Sequence, residues 1–176
     1  MVARWQVRCL IGLGLAGLAC GGHEITNCDD EPDVTGAWAL HFTPTVVDGG
    51  TPIPGEVDVD AQLEQAGKTD FLGLGHFVYG TLATSDPSYF GTLTIPRLLK
   101  NDGSKTGAIL GCTLRINIPV ATPVTDDDAD QGRLRLQLVG QVTTKGVLTG
   151  VPGSRLILSD DQAGTPRDFD WTGARR

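Results

Sequence analysis

The chain has 176 residues, of which 40% are hydrophobic and 20% charged, and its formal net charge is -7. This length is typical of a single domain, and the composition argues against a disordered chain and against several membrane spans. The acidic balance argues against nucleic acid as a partner, because phosphate binding requires clustered Lys and Arg. With 24 glycines, 10 prolines and only 6% aromatic residues, the composition favours short strands and tight turns over a helix bundle.

The first 19 residues have the layout of a secretory signal peptide. Arg4 and Arg8 form a basic start, and the 11 residues from Cys9 to Ala19 are apolar or small. This run is too short to cross a bilayer core, which takes about 20 apolar residues. We therefore predict that residues 1–19 are a signal peptide that is absent from the mature protein.

The end of this segment, Gly17-Leu18-Ala19-Cys20, resembles the processing site of bacterial lipoproteins. In that family the cysteine after the apolar run becomes the first mature residue and carries the lipid. Ala19 and Cys20 match the family pattern, whereas Gly17 stands where an aliphatic residue is usual. The resemblance implies lipidation of Cys20 and a place in a bacterial cell envelope, anchored in the outer membrane. Ordinary cleavage after Ala19, giving a secreted or periplasmic protein, is the alternative.

The number of cysteines agrees with lipidation. Cys9 leaves with the signal peptide, so Cys20, Cys28 and Cys112 remain, which is an odd number for an oxidising compartment. If Cys20 carries the lipid, Cys28 and Cys112 are left as a candidate disulfide pair. A buried free Cys112 is the alternative.

Residues 20–33 are predicted to be a flexible tether between the lipid and the domain. They are polar and include four acids close to the domain. Removal of Arg4 and Arg8 with the signal peptide makes the net charge of the mature chain -9, two charges below that of the full chain. Anionic headgroups would not attract such a chain, so we expect the covalent lipid to be its link to the membrane.

Beyond the tether, apolar and polar residues alternate with a period of two, which predicts strands with one face over a core. Trp38, Leu40 and Phe42 share a face in the first strand, and Phe169 and Trp171 share one in the last. Separated by turn signals, the alternating segments give eight predicted strands at 34–43, 56–65, 69–83, 88–99, 107–118, 133–142, 146–158 (broken at Pro152) and 168–174.

These strands predict that residues 34–176 form one all-β domain. Regular antiparallel strands with tight turns close into a barrel or pack as a sandwich. We expect a closed or partly open barrel, with a sandwich as the alternative. An eight-stranded barrel has interior space for side chains or for one small ligand.

Gly36-Ala37-Trp38, at the start of the first strand, resembles the opening of lipocalin-like barrels. In that family the Trp closes the barrel floor and a late-chain Arg packs over its ring. The resemblance implies that Arg175 or Arg176 makes a cation–π contact with Trp38, and that a small apolar ligand binds in the barrel mouth. An ordinary core Trp is the alternative for Trp38. The chain also resembles small bacterial lipoproteins with closed antiparallel barrels.

One acidic segment has the start of a calcium-loop pattern. Asp126, Asp128 and Asp130 occupy the spacing of the first, third and fifth ligands. The glycine follows one place late, and Gln137 stands where such a loop ends in Glu. A solvated hairpin loop is the alternative.

The sequence predicts no enzyme and no cofactor. Its histidines, His23, His41 and His76, lie in no H-E-x-x-H motif, and no G-x-S-x-G is present. We therefore expect a lipid-anchored envelope protein that binds a small apolar ligand or an envelope component. The alternative is a structural or protein-interaction lipoprotein with a filled barrel.

Overall fold

The computed structural model describes residues 31–47, 49–68, 75–97, 106–120, 134–143 and 146–176. Within these ranges every regular element is a strand, and no helix is long and apolar enough to span a bilayer. The strands are β1 (Gly36–Pro44), β2 (Thr51–Pro52), β3 (Val57–Lys68), β4 (His76–Thr84), β5 (Thr92–Ile95), β6 (Gly107–Leu110), β7 (Thr113–Pro119), β8 (Leu134–Val142), β9 (Val147–Gly150), β10 (Arg155–Leu156) and β11 (Arg167–Arg175).

The strands form a closed antiparallel barrel with eight strand positions, which confirms the predicted fold class. They follow one another around the barrel in chain order, and β1 pairs with β11 to close it. β5 and β6 both pair with β4, and β9 and β10 both lie between β8 and β11. The short strand β2 adds to β11 in parallel. The barrel therefore has no long open edge in the described part of the chain.

The barrel has two ends, a floor and a mouth. The floor holds Gly36, Lys68 and Arg175, where β1 starts and β3 and β11 end. The mouth holds Pro44 and Arg167, at the opposite ends of β1 and β11.

Alternation along each strand decides which side chains enter the barrel. Trp38, Leu40 and Phe42 of β1 are buried, whereas the residues between them are partly exposed. Phe169 and Trp171 of β11 are buried in the same way, and Phe42 stacks on Phe169 with their ring centroids 4.4 Å apart. Burial of these large apolar side chains is the main contribution to stability. They belong to one continuous hydrophobic core cluster.

The predicted strand 107–118 is wrong, because it contains two strands. β6 ends at Leu110 and β7 starts three residues later, with Gly111 and Cys112 as a two-residue hairpin turn. Gly111 has a φ of 56°, the left-handed conformation that such turns favour. The turn keeps Leu110, Cys112 and Leu114 in an apparent period of two while the chain reverses direction. Leu110 is consequently exposed and Leu114 is buried.

The predicted break at Pro152 is confirmed. β9 ends at Gly150, β10 begins at Arg155, and both pair with β8 on one side and β11 on the other. Pro152 cannot donate a ladder hydrogen bond, so it separates two segments of one barrel position.

Candidate functional site

Trp38 closes the floor of the barrel. Its indole is 1% exposed and its N–H donates to the carbonyl of Val34 at 2.8 Å. Arg175 lies opposite Trp38 in the β1–β11 register, and its guanidinium carbon is 5.1 Å from the ring centroid. This is the cation–π contact that the lipocalin resemblance implies for Arg175. Arg176 instead forms an ion pair with Asp60 at 2.5 Å.

The chain from residue 31 to residue 35 lies across this floor. Val34 is fully buried in the core cluster, and its N–H donates to Oε1 of Gln65 at 3.0 Å. The Gln65 N–H in turn donates to Oγ1 of Thr35 at 3.1 Å. These bonds join the entering chain to the floor end of β3.

Glu31 joins the same chain to a second strand. Its Oε1 accepts from Nε2 of Gln65 at 2.9 Å and lies 2.5 Å from Nδ1 of His76, the first residue of β4. The Glu31 carboxylate is largely buried in this contact. Residues 31–33, which the sequence assigns to the flexible tether, are therefore held against the barrel.

Asp33 carries a fixed negative charge at the floor. Hydrogen bonds from the N–H and hydroxyl of Thr35 lower the pKa of the Asp33 carboxyl, and the nearby Arg175 cation lowers it further, whereas partial desolvation acts in the opposite direction. The Arg175 guanidinium also donates to the Asp33 carbonyl. Arg175 thus contacts both the Trp38 ring and the chain that enters beside it.

Cys112 also lies at the floor, in the turn between β6 and β7. It is buried, its carbonyl accepts from the N–H of Val142 at 2.8 Å, and its sulfur is in a disulfide bond. β6 pairs with β4 next to His76, the residue that contacts Glu31, so this turn and the entering chain share one end of the barrel. Cys28 lies outside the described residues, and the Cys28–Cys112 bond stays a prediction.

Two aromatic side chains are buried at the mouth. Tyr89 and Phe90 are 5% and 7% exposed and belong to the same core cluster as the barrel side chains. The Tyr89 hydroxyl donates to the carbonyl of Gly55 at 2.9 Å, and burial raises the pKa of that hydroxyl. The predicted strand 88–99 is therefore too long, because its first residues form part of a turn and β5 begins only at Thr92.

Asp168 fixes the chain between β1 and β3 over the mouth. It faces outward on β11, as predicted, but this chain covers it. Its Oδ2 accepts from the N–H of Val47 at 3.3 Å, and its carbonyl accepts from the N–H of Ile53 at 3.0 Å. Arg155 Nε donates to its Oδ1 at 2.8 Å, which compensates the buried charge. Gly50 packs so closely that a Cβ there would lie 1.8 Å from Oδ2.

Trp171 occupies the interior between floor and mouth. Its Nε1–H donates to Oγ of Ser154 at 3.0 Å and to the carbonyl of Val139 at 3.2 Å. Gly140 and Gly150, on neighbouring strand positions, lie against its ring, and a Cβ on either would come within 2.5 Å of the indole. The absence of a side chain at both glycines creates the space that this indole fills.

His41 lies beside two carboxylates on the outer surface between β1 and β3. Its Nδ1 is 2.7 Å from Oδ1 of Asp58, and its Nε2 is 3.7 Å from Oε2 of Glu56. All three groups are exposed to solvent. Among the described residues, no group of three or more His, Cys, Asp or Glu side chains could hold a metal ion.

The predicted site residues fall into two groups. Trp38 and Arg175 are in contact at the floor, and Cys112 lies at the same end of the barrel in the β6–β7 turn. The remaining predicted residues lie outside the described part of the chain: Cys20, Cys28, Asp126, Asp128 and Asp130. No family model, curated protein or solved structure matches the chain.

Proposed function

We propose that this is a lipid-anchored cell-envelope protein whose filled barrel serves contacts with an envelope partner and does not carry a small apolar ligand. The observation that carries this proposal is the single core cluster that runs from Val34 and Trp38 at the floor to Tyr89 and Phe90 at the mouth. Ligand-binding pockets are concave and enclose most of their ligand. Buried aromatic side chains at both ends favour a filled barrel over an open one.

The buried polar groups support the same function. A ligand site needs a few polar groups that converge on the ligand. Here Ser154 bonds to Trp171, Asp168 bonds to Arg155, and Thr106 donates to the carbonyl of Pro96. These groups form their hydrogen bonds with other groups of the chain, as expected for buried polar side chains that stabilise a fold.

Native mass spectrometry tests the filled barrel. The mature protein, purified from membranes in mild detergent, is expected to carry its covalent lipid and no additional small molecule, because side chains occupy the interior. It is also expected to leave the emission of a hydrophobic dye unchanged. Phe90→Ala is the matched variant, since it would open an apolar cavity at the mouth and should gain dye binding. Wild-type protein that retains a stoichiometric apolar molecule would contradict the filled barrel.

The lipid anchor is supported by the cysteines. Cys112 is in a disulfide bond, so one further cysteine of the chain is its partner. If that partner is Cys28, the mature chain has one cysteine left, Cys20. Cys20 is the residue at which the lipoprotein resemblance places the lipid.

Labelling of bacterial cells with radioactive palmitate tests the anchor. The wild-type protein is expected to incorporate label and to sediment with the envelope, whereas Cys20→Ala should lose both properties because the lipid has no sulfur to join. Gly21→Ala is the matched control at the neighbouring position and should keep the label. Firm sedimentation of unlabelled Cys20→Ala with the envelope would reject the anchor.

A further inference from the structure

Closure of the barrel leaves a short strand edge open at β5. This strand pairs with the mouth half of β4, from Gly80 opposite Ile95 to Ala83 opposite Thr92, and no strand of the described chain pairs with its other edge. β6 continues the same wall position toward the floor, where it pairs with both β4 and β7. The wall position that β5 and β6 share is therefore bonded on both sides near the floor and on one side near the mouth.

The end of β7 explains why this edge stays open. β7 runs past β5 in the wall, but its register shifts between Ile118 and Pro119, and Pro119 has no N–H with which to pair with β5. Toward the floor the gap is closed, because the Asn117 N–H donates to the Thr106 carbonyl at 3.0 Å and the Thr106 hydroxyl donates to the Pro96 carbonyl. The open edge of β5 therefore ends at Pro96 and faces the mouth half of the wall.

The register of β4 and β5 shows which backbone groups face this gap. The Thr84 N–H donates to the Gly91 carbonyl at 2.8 Å, so these residues form a hydrogen-bonded pair next to β5. Bonded and non-bonded pairs alternate along an antiparallel ladder. Leu93 therefore directs its N–H and C=O toward β4, whereas Thr92 and Thr94 direct theirs to the open side. In the described part of the chain these groups of Thr92 and Thr94 have no hydrogen-bond partner.

The side chains of β5 favour the addition of a further strand. The segment from Thr92 to Ile95 is rich in β-branched residues and has no charged side chain, whereas natural edge strands are commonly protected by charges. The Thr92 and Thr94 side chains are exposed on the outer face, and Val120, directly after β7, is 43% exposed. An extended peptide is the ligand that satisfies a row of backbone donors and acceptors of this kind.

Charge favours a segment of another protein over a second copy of this chain. Copies that each carry a net charge of -7 repel one another. Asp86, in the connection at the mouth end of β5, is exposed, and hydrogen bonds from the hydroxyl and N–H of Ser88 lower the pKa of its carboxyl. Arg97, at the other end of β5, is paired with Glu64 at 3.6 Å. A neutral or basic segment therefore fits this edge better than an acidic one.

We propose that the open edge of β5 binds an extended segment of an envelope partner as an additional β-strand. The inference rests on the proposed function, and it names the surface and the chain conformation of the partner contact. The partner backbone donates to the carbonyls of Thr92 and Thr94 and accepts from their N–H groups. A basic side chain of the partner beside Asp86 adds an ion pair.

Backbone amide exchange, followed by NMR on the mature protein in mild detergent, tests whether the edge is open. The Thr92 and Thr94 amides are expected to exchange fast, whereas those of Leu93 and Ile95, which bond to β4, should be protected. Protection of Thr92 and Thr94 in the free protein would show that the edge is already paired and would overturn the proposal. Protection that appears only at high protein concentration would assign the edge to a second copy and overturn it as well.

A synthetic peptide of alternating valine and threonine, with a lysine at each end, is the probe for strand addition. At saturating concentration it is expected to slow exchange at Thr92 and Thr94 by about tenfold or more. The same peptide with methylated backbone amides is the control, and it should have no effect because it has no donors. Equal effects of the two peptides would contradict strand addition.

Thr94→Pro tests the same contact from the side of the protein. It removes an N–H that faces the gap and none that faces β4, so the barrel should fold and peptide affinity should fall about tenfold. Thr94→Val keeps the backbone donor and should bind the peptide as the wild type does. Equal affinities of these two variants would overturn the proposal. Circular dichroism checks that Thr94→Pro is folded, and the methylated peptide tests strand addition on the wild type if it is not.

Photocross-linking in cells separates this inference from the proposed function. A photoreactive amino acid replaces Thr94 and, in separate proteins, the exposed residues Val46, Leu110 and Thr172. A cross-link to an envelope protein is expected at position 94. Cross-links at the other positions without one at 94 would leave the envelope partner in place and reject the β5 edge as its site. The absence of cross-links at every position would contradict the proposed function, and this inference with it.

Discussion

Cys28→Ser is expected to leave Cys112 as a free thiol and to lower the free energy of unfolding by several kcal/mol. On the loop-entropy model, a cross-link between residues so far apart in the chain stabilises the folded state by about 4–5 kcal/mol. The structure adds a local reason for a large effect, because Cys112 and Glu31 lie at the same end of the barrel. Loss of the bond would remove the constraint on the unfolded state. It would also remove one link between the floor and the chain that enters across it.

Thiol titration in denaturant, together with urea unfolding followed by circular dichroism, measures both consequences. Cys112→Ser and the double variant are the matched controls, and all three proteins should lose similar stability because each removes the same bond. Cys20→Ala should keep the bond intact. Cys28→Ser that retains an oxidised Cys112 would show that Cys28 is not the partner. A bond that disappears in Cys20→Ala would assign the partner to Cys20 and contradict its lipidation.

The barrel itself was predictable because its strands have one apolar and one polar face. In β1 and β8, and in β11 from Phe169 to Ala174, side chains alternate between the core and the outer surface, so the period of two in the sequence is the period of burial. The tight turns between strands then leave few ways to arrange them, and closure removes the exposed edges. The fold class therefore follows from local information.

The positions of chain reversal were less predictable. The two-residue turn Gly111–Cys112 switches the buried face from Ile109 to Leu114, whereas the apolar residues Leu110, Cys112 and Leu114 still alternate in the sequence and hide the reversal. Gly111 was the available signal, since glycine readily adopts the positive φ that two-residue hairpin turns require. Tyr89 and Phe90 lie outside any strand for a different reason: aromatic residues are frequent in strands, but these two belong to the β4–β5 connection and are buried in the core cluster.

The floor could be predicted only in part. The contact of Trp38 with Arg175 was implied by a resemblance to known barrels, and both residues belong to strands whose pairing closes the barrel. The contacts of Glu31 with Gln65 and His76 join residues more than 30 positions apart. No local pattern encodes such a pair, because it depends on how the completed barrel presents the ends of β3 and β4. The polar composition of residues 31–33 indicates a tether, whereas tertiary contacts hold these residues against the barrel.

Gly140→Ala is expected to destabilise the barrel strongly although it adds only one methyl group. The new Cβ would lie 2.5 Å from Cζ2 of Trp171 and 2.8 Å from the carbonyl oxygen of Thr149. Gly140 is not among the glycines with positive φ, so the cost comes from overlap and not from backbone strain. Overpacking of this kind costs about 1–3 kcal/mol, and displacement of the indole would add about 1 kcal/mol for each hydrogen bond that Trp171 loses.

The free energies of unfolding of four variants, measured in urea, separate the effect of this overlap from other effects. Gly55→Ala is the matched control, because a Cβ there would meet only the Tyr89 hydroxyl at an ordinary 3.5 Å; its stability should stay within about 0.5 kcal/mol of wild type.

Trp171→Leu should itself be destabilising, since it removes a buried indole. In the double variant Gly140→Ala with Trp171→Leu, the methyl group has space where the ring was, so the combined loss should be smaller than the sum of the two single losses. The contact with the Thr149 carbonyl remains, which keeps the rescue incomplete. Strict additivity, or a Gly140→Ala protein as stable as Gly55→Ala, would show that the Trp171 ring does not need the space above Gly140.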